Sequence, residues 1–172
     1  LGHRQEFSCA ANGDLTGILY PDGSRETFAY NDYHQPVRYT DREGYVTSFR
    51  YDERGNRTET SYPDGTIIRM EYDSRGYPTA MTDQEDYRTV YEYNAYGQMT
   101  TVTGPGGHSR HFSYDAFGNM LSFTDQAGHT MKADYDSDNH RIRVTGPAGH
   151  METYAYNNRG DLMKRTDKLG GT

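Results

Sequence analysis

The chain has little of several residue types on which ordinary folds and binding sites depend. Its 172 residues include no Trp and a single Cys, Cys9, so an internal disulfide is excluded. Lys is scarce because 15 of the 18 basic residues are Arg, which are scattered, and the formal net charge is -7. Phosphate binding depends on clustered Lys and Arg, so this charge argues against a nucleic-acid partner. No apolar run approaches the roughly 18 residues of a membrane-spanning helix.

Hydrophobic residues are also sparse. They make up 33% of the sequence, and the mean hydropathy is -1.06, which is poor for a conventional compact core. Yet the chain has 17 Tyr and 6 Phe, far too many for a disordered tail. The rings are therefore expected to be buried between neighbouring copies of some repeated unit.

A tandem repeat of 21 residues runs through the whole sequence without insertion or deletion. Its first position, the Tyr column, is occupied after Cys9 by Tyr30, Tyr51, Tyr72, Tyr93, Tyr114, Tyr135 and Tyr156. Two further columns are mostly Gly: the fifth position has Gly13, Gly55, Gly76, Gly97, Gly118 and Gly160, and the fifteenth has Gly23, Gly44, Gly65, Gly107, Gly128, Gly149 and Gly170. A period of this length is typical of arrays and solenoids.

The repeat boundaries predict one array over residues 1–172. It comprises a partial repeat at 1–8, full repeats at 9–29, 30–50, 51–71, 72–92, 93–113, 114–134 and 135–155, and a partial repeat at 156–172. Repeat arrays normally end in atypical capping units. Since neither end has one, we expect these residues to be a fragment of a longer polypeptide.

Each repeat is predicted to contain two turns. In residues 51–71 the first turn is Asp52 to Gly55, where Asp followed by Gly three residues later favours a type I turn with a left-handed Gly. The second turn is Tyr62 to Gly65, with Pro preset at its second position. The Gly columns are interrupted by His34, Asp86 and Asn139.

The stretches between turns are predicted to be strands, because apolar positions alternate with polar ones. The alternation is clearest around the twentieth position, which is occupied by Phe28, Phe49, Met70, Tyr91, Phe112, Ala133 and Tyr154. Ordering the backbone of one repeat costs roughly 20 to 40 kcal/mol, whereas two or three buried side chains return about 1.5 to 3 each. No repeat can fold alone, so the sequence predicts an all-β fold: a continuous antiparallel sheet of short strands, two per repeat, which native twist would coil into a spiral.

The second turn also alternates with a 42-residue period. It reads YPDG at 20–23 and 62–65 and GPGG or GPAG at 104–107 and 146–149, with turns lacking Pro in between. Duplication of a two-repeat block and two distinct environments for alternate turns both explain this pattern.

A His column at the sixteenth position is the strongest candidate site. It contains His108, His129 and His150, with His3 in the same register. Equivalent residues would lie two strand spacings of roughly 4.8 Å apart, too far to converge on one metal ion. The column is interpreted either as copies of one residue that flanks a turn, or as a pH-sensitive strip that loosens the sheet when the imidazoles are charged.

Other motifs give no site. Residues 134–139, DYDSDN, resemble the start of a calcium loop, but Asn139 and Thr145 replace the required Gly and Glu. Paired carboxylates such as Asp83 and Asp86 fall in turns. Catalysis needs one constellation held once, whereas nearly every feature here recurs. We therefore predict no enzyme and no catalytic, cofactor-binding or metal-binding residue.

The pattern of Tyr-Asp followed three residues later by Gly, with a Gly-containing turn in mid-unit, resembles the YD repeat of the rearrangement hotspot (Rhs) family. The resemblance covers essentially the whole chain, through YNNRG at 156–160. That family includes bacterial polymorphic toxins, toxin-complex C subunits and proteins similar to teneurins, in which the repeats form a hollow shell. The family's shell-closing segment, with its autoproteolytic aspartates, has no match here.

The resemblance implies a secreted or cell-surface protein of bacterial origin, delivered by a secretion system. Its implied partners are the remainder of an Rhs shell and an enclosed C-terminal toxin domain, with a secretion spike or chaperone as a further partner. A carbohydrate-binding or adhesion module is the alternative, because Tyr with Asp, Asn and Arg at regular intervals suits an extended glycan.

Overall fold

The computed structural model describes residues 4–167, which consist of strands and tight turns. The chain divides into two units, Leu1–Arg88 and Thr89–Thr172, of which the structure describes residues 4–88 (unit 1 below) and 89–167 (unit 2 below). Within each unit, consecutive strands along the chain pair antiparallel, as in a meander. The predicted all-β fold of short antiparallel strands, two per repeat, is confirmed.

Unit 1 contains eight strands, each of four to six residues. They are β1 (Glu6–Cys9), β2 (Leu15–Leu19), β3 (Arg25–Tyr30), β4 (Pro36–Thr40), β5 (Val46–Tyr51), β6 (Arg57–Ser61), β7 (Ile67–Tyr72) and β8 (Pro78–Thr82).

The strands associated with unit 2 repeat these lengths. They are β9 (Arg88–Tyr93, which begins at the last residue of unit 1), β10 (Met99–Thr103), β11 (Ser109–Tyr114), β12 (Met120–Thr124), β13 (Thr130–Tyr135), β14 (Arg141–Thr145), β15 (Met151–Tyr156) and β16 (Leu162–Thr166).

Both units use the same pairing register. In unit 1, Phe28 of β3 faces Tyr39 of β4, and the register shifts just before Tyr30. In unit 2, Phe112 of β11 faces Phe123 of β12, and the shift again precedes the residue of the Tyr column. This single-residue irregularity is a β-bulge, which bends the strand and raises its local twist.

Neither unit encloses a conventional core. Among residues 4–167 only Gly17, Thr60 and Ala80 are buried. Some of the larger apolar side chains, such as Phe28, Tyr39 and Phe112, are half-buried, and others are exposed. Stability therefore comes from ladder hydrogen bonds and cross-strand pairs, as in other repeat proteins.

Candidate functional site: the aromatic face and the rows of turns

One face of the sheet in each unit carries paired apolar side chains. The rings of Phe28 and Tyr39 stack with centroids 5.2 Å apart and planes 29° apart. Phe112 and Phe123 form the equivalent pair in unit 2, with centroids 5.3 Å apart. All four rings are half-buried. They contribute packing across strands while leaving part of the face open to a partner.

The Tyr column lies at the strand ends, where its hydroxyl groups join successive repeats. Tyr51, the last residue of β5, donates to the carbonyl of Pro36, the first residue of β4, over 2.8 Å. The same bond, spanning 15 residues, is made by Tyr72 to Arg57, Tyr114 to Met99, Tyr135 to Met120 and Tyr156 to Arg141, over 2.9 to 3.1 Å. Tyr30 and Tyr93 occupy the equivalent ends of β3 and β9. Sequence reasoning treated this column as ring packing and missed the role of the hydroxyl.

The Gly columns lie in the left-handed region of backbone space. Twelve of the predicted glycines have φ between 76° and 94°, namely Gly13, Gly23, Gly44, Gly55, Gly65, Gly76, Gly97, Gly107, Gly118, Gly128, Gly149 and Gly160. Gly170 lies outside the described residues. The three interruptions take the same conformation, with φ of 61° at His34, 62° at Asp86 and 65° at Asn139. Left-handed backbone is costly for residues with a Cβ, although Asn and Asp tolerate it better than most.

From repeat 30–50 onward, the side chain of the second residue of each repeat stabilises the first turn. The Oδ1 of Asp52 accepts hydrogen bonds from the backbone N–H groups of Arg54 and Asn56, both over 2.9 Å. The side-chain amide of Asn56 donates to the second carboxylate oxygen, also over 2.9 Å. This donation is the main cause that lowers the pKa of Asp52. The amide of Asn119 lowers the pKa of Asp115 in the same way in unit 2.

Turns with Asn at the second position use the opposite polarity. The Nδ2 of Asn94 donates to Oε1 of Gln98 over 2.7 Å, and Asn31 donates to Gln35 over 3.0 Å. In these four turns the sixth position is thus matched to the second: a donor faces Asp, and an acceptor faces Asn. Because the side chains are local acceptors and donors for a turn, they fix its geometry independently of the strands.

The sixth position also reaches the first turn of the next repeat. Gln35 donates from Nε2 to the carbonyl of Gly55 over 2.9 Å. In unit 2, the amide of Asn119 donates to Oδ1 of Asn139 over 2.8 Å. These bonds connect neighbouring first turns along one edge of the sheet in each unit. No sequence signal within a single repeat indicates them, because each joins residues 20 positions apart.

The predicted His column lies along the row of second turns in unit 2. His108, His129 and His150 are exposed. The Nδ1 of His129 lies 3.1 Å from Oδ2 of Asp125, within its own turn. The pH-sensitive strip stays a prediction, and His3 lies outside the described residues. Within residues 4–167, no group of three or more His, Cys, Asp or Glu could hold a metal ion.

The other acidic candidates stabilise turns. Asp83 accepts from the backbone N–H groups of Glu85 and Tyr87, and Asp136 in the calcium-like segment accepts from Asp138 and His140. These bonds are the same as those of the other turns. Asp83 and Asp136 therefore stabilise turns that are common to the repeats and do not form a separate site.

Exposed rings at the tips of the first turns were not anticipated. Tyr33 and Tyr96 are each 82% exposed and Phe117 is 80% exposed. In unit 1, Tyr33 lines a groove of about 630 Å³ together with Phe49, Tyr51 and Arg54. In the part of the chain that the structure describes, no helix is long and apolar enough to cross a membrane.

Comparisons with known proteins agree with this architecture. The profile of the RHS repeat matches residues 30–67, and the profile of the teneurin YD-shell matches residues 77–169. A search of curated proteins gave no significant match.

Solved structures of toxin complexes have the same fold. The crystal structure of TcdB2-TccC3-Cdc42 is 15% identical, with a TM-score of 0.73 over 92% of this chain and 11% of that chain. The Photorhabdus luminescens Tc holotoxin pore is also 15% identical, with a TM-score of 0.73 over 95% of this chain and 11% of that one. TcdB2-TccC3 without its hypervariable C-terminal region is 16% identical, with a TM-score of 0.72 over 92% of this chain and 11% of that chain. The chain thus spans about a tenth of the length of these structures.

Proposed function

Because the chain belongs to the teneurin YD-shell family, whose profile matches more than half of it, we propose that it forms part of the wall of a hollow β-shell enclosing a C-terminal toxin domain. Its role is that of a structural shell segment. In this proposal the chain is a piece of a longer polypeptide and performs no catalysis of its own.

The main observation behind the proposal is the set of hydrogen bonds that the Tyr column hydroxyls donate to backbone carbonyls, called hydroxyl ties below. Each tie joins one repeat to the preceding repeat, so neighbouring copies are fastened together through side chains as well as through the strand ladder. Polar turn networks fix the two edges of the sheet in each unit. Such a frame can be extended by adding copies without any need for a closed core, which is what a wall requires.

The proposal includes partners and location. The wall segment would contact the remainder of the shell along its strands, and the enclosed toxin domain on one face. A secretion spike or chaperone would act on the assembled shell. The protein would then be secreted or displayed at the cell surface of a bacterium.

Limited proteolysis of the full-length polypeptide tests this function. The C-terminal domain should stay intact in the native polypeptide at protease concentrations that digest the same domain produced by itself. Equal digestion rates would rule out enclosure. In a second experiment, denaturant is added at a concentration that opens the shell but is too low to unfold the C-terminal domain. Digestion of that domain should then resume.

Glycan adhesion is the second candidate function, and the exposed rings at the turn tips favour it. Tyr33 lies in a groove with Arg50, Glu53 and Arg54, which combines a ring for a sugar face with groups for hydroxyls. Affinity electrophoresis through gels containing polysaccharides tests this function. Retardation that disappears in the Tyr33→Ala variant supports it, and equal mobility in every gel excludes it.

A further inference from the structure

Unit 1 contains the tetrapeptide Tyr-Pro-Asp-Gly twice, at 20–23 and at 62–65, as second turns 42 residues apart. The two turns have the same backbone hydrogen bonds, and their glycines have φ of 86° and 87°. The residue that reaches back to each turn differs, however. Arg42 reaches the first copy, and Gln84 occupies the corresponding position beside the second.

The first copy binds a guanidinium group through three contacts. The guanidinium carbon of Arg42 lies 4.3 Å from the centroid of the Tyr20 ring. Its Nη2 forms an ion pair with Oδ2 of Asp22, and its Nε donates to Oγ of Ser24 over 2.8 Å. The hydroxyl and backbone N–H of Ser24 both donate to Oδ1 of Asp22, which leaves Oδ2 for the arginine.

The second copy has the same three types of group in Tyr62, Asp64 and Thr66, and its carboxylate is hydrogen-bonded in the same way. The hydroxyl and the backbone N–H of Thr66 donate to Oδ1 of Asp64 over 2.7 and 3.0 Å, which again leaves Oδ2. Tyr62, Asp64 and Gln84 line a groove of about 390 Å³, bordered also by Tyr45, which is 59% exposed. Within residues 4–167 no cation pairs with the carboxylate of Asp64, because the neutral amide of Gln84 stands where Arg42 stands in the first copy.

We propose that the groove lined by Tyr62 and Asp64, beside the hydroxyl of Thr66, binds the guanidinium group of an arginine from a partner protein. A planar guanidinium can lie on the ring while it donates to the carboxylate and to the Thr66 hydroxyl, as Arg42 does. An ammonium group donates from a single point and does not stack. The acidic residue Asp41 also lines the groove and adds negative charge beside it.

The second turns of unit 2 that contain Pro lack this chemistry. In unit 2 the turn at 104–107 has Gly104 in place of the ring and Gly106 in place of the carboxylate. The residue that corresponds to Gln84 is Gln126 in the following repeat, whose Nε2 lies 4.0 Å from the position of a Cβ at Gly104. The site is therefore specific to residues 62–66, and Gln126 provides a matched control.

Titration with N-acetyl-arginine amide, followed by backbone amide chemical shifts, tests the binding. Shifts should change at Tyr62 to Thr66 at millimolar ligand, and N-acetyl-lysine amide should bind about tenfold more weakly because it cannot stack and pair together. The Asp64→Asn variant should lose most of the response. An unchanged spectrum at tens of millimolar ligand, or equal binding of the lysine derivative, would overturn the proposal.

The Gln84→Arg variant tests the same site from within the chain. If its arginine occupies the groove as Arg42 occupies the first copy, the response to N-acetyl-arginine amide should disappear, and the Tm should rise by about 2 to 4 °C. Gln126→Arg adds the same charge beside a turn with neither ring nor carboxylate, so it should leave both quantities unchanged. Equal effects of the two variants would show that charge alone is responsible and would contradict the proposed site.

Discussion

Units 1 and 2 share one backbone frame but present different side chains. Acidic residues outnumber basic ones by six in residues 1–88 and by one in residues 89–172. Five of the seven Met and five of the seven His lie in the second range. The exposed large apolar residues follow this division: unit 1 has Phe7, Leu19, Tyr33, Tyr45 and Tyr87, whereas unit 2 has Tyr96, Phe117, Met120, Leu121, Met131, Ile142, Met151, Leu162 and Met163.

This difference shows that only a few positions of each repeat determine the strands, turns and pairing register. The left-handed residue of each turn, the carboxylate or amide at the second position and the hydroxyl of the Tyr column keep their conformations and contacts in both units. Strand positions between them accept aromatic, aliphatic or polar residues without any change in register. Each unit can therefore acquire its own partner-binding surface while the wall stays the same.

The largest expected effect tests whether the ring pairs stabilise both units equally. Phe28→Ala and Phe112→Ala each remove one ring of a half-buried pair, and each should lower the free energy of unfolding by about 2 kcal/mol. Urea denaturation monitored separately in each unit by amide hydrogen exchange measures the loss.

Phe117→Ala serves as the control for the ring pairs, because this ring is 80% exposed and should contribute little. A loss confined to one unit would show that the second pair is incidental. The two units would then share their backbone geometry but not the contribution of their ring pairs to stability.

The Tyr hydroxyl ties should have the next largest effect. Tyr51→Phe and Tyr135→Phe each remove one hydrogen bond to a carbonyl while keeping the ring, so each should cost about 1 kcal/mol. Tyr33→Phe is the matched control, since its ring is 82% exposed and its hydroxyl makes none of these ties. If Tyr51→Phe and Tyr33→Phe had equal stability, the Tyr column would act through its rings alone.

The strands and turns could be predicted from the sequence, whereas the hydrogen bonds between repeats could not. Strands and turns follow from alternation and from Gly, Asp and Pro, which act within a few residues of one another. The bond from Tyr51 to Pro36 spans 15 residues and depends on where a strand end meets its neighbour, which local pattern does not encode. The arginine site at Tyr20 was hidden for the same reason, although the 42-residue alternation of the turns indicated that alternate turns differ.

A smaller effect on the free energy of unfolding is expected at the positions where a residue other than Gly has a left-handed backbone conformation. Asp86→Gly should raise the free energy of unfolding by about 0.5 to 1 kcal/mol, because relief of left-handed strain exceeds the added entropy of the unfolded chain. Asn139→Gly should gain less, since Asn139 accepts a hydrogen bond from Asn119 that Gly would lose.

Chemical denaturation of both glycine variants measures these gains, with Asp86→Ala as the control that removes the carboxylate but keeps the Cβ. If Asp86→Ala were as stable as Asp86→Gly, charge repulsion rather than backbone strain would be the cause. Left-handed backbone strain would then not explain the preference for Gly at this position.

The smallest effect concerns acid stability, which the carboxylate turns of both units should share. Hydrogen bonds from Asn56 and Asn119 lower the pKa of Asp52 and Asp115 from the ordinary value of 3.8. A folded-state pKa that is lowered contributes stability above the unfolded value, and this contribution is lost as the pH falls through the folded value. The Asp52→Asn variant should therefore lose less stability than the wild type between pH 5 and about pH 2, because Asn56 can turn its amide to match the new side chain, as Gln98 matches Asn94. Urea midpoints across that range measure the difference, and parallel curves for the two proteins would mean that this turn carboxylate does not control acid unfolding.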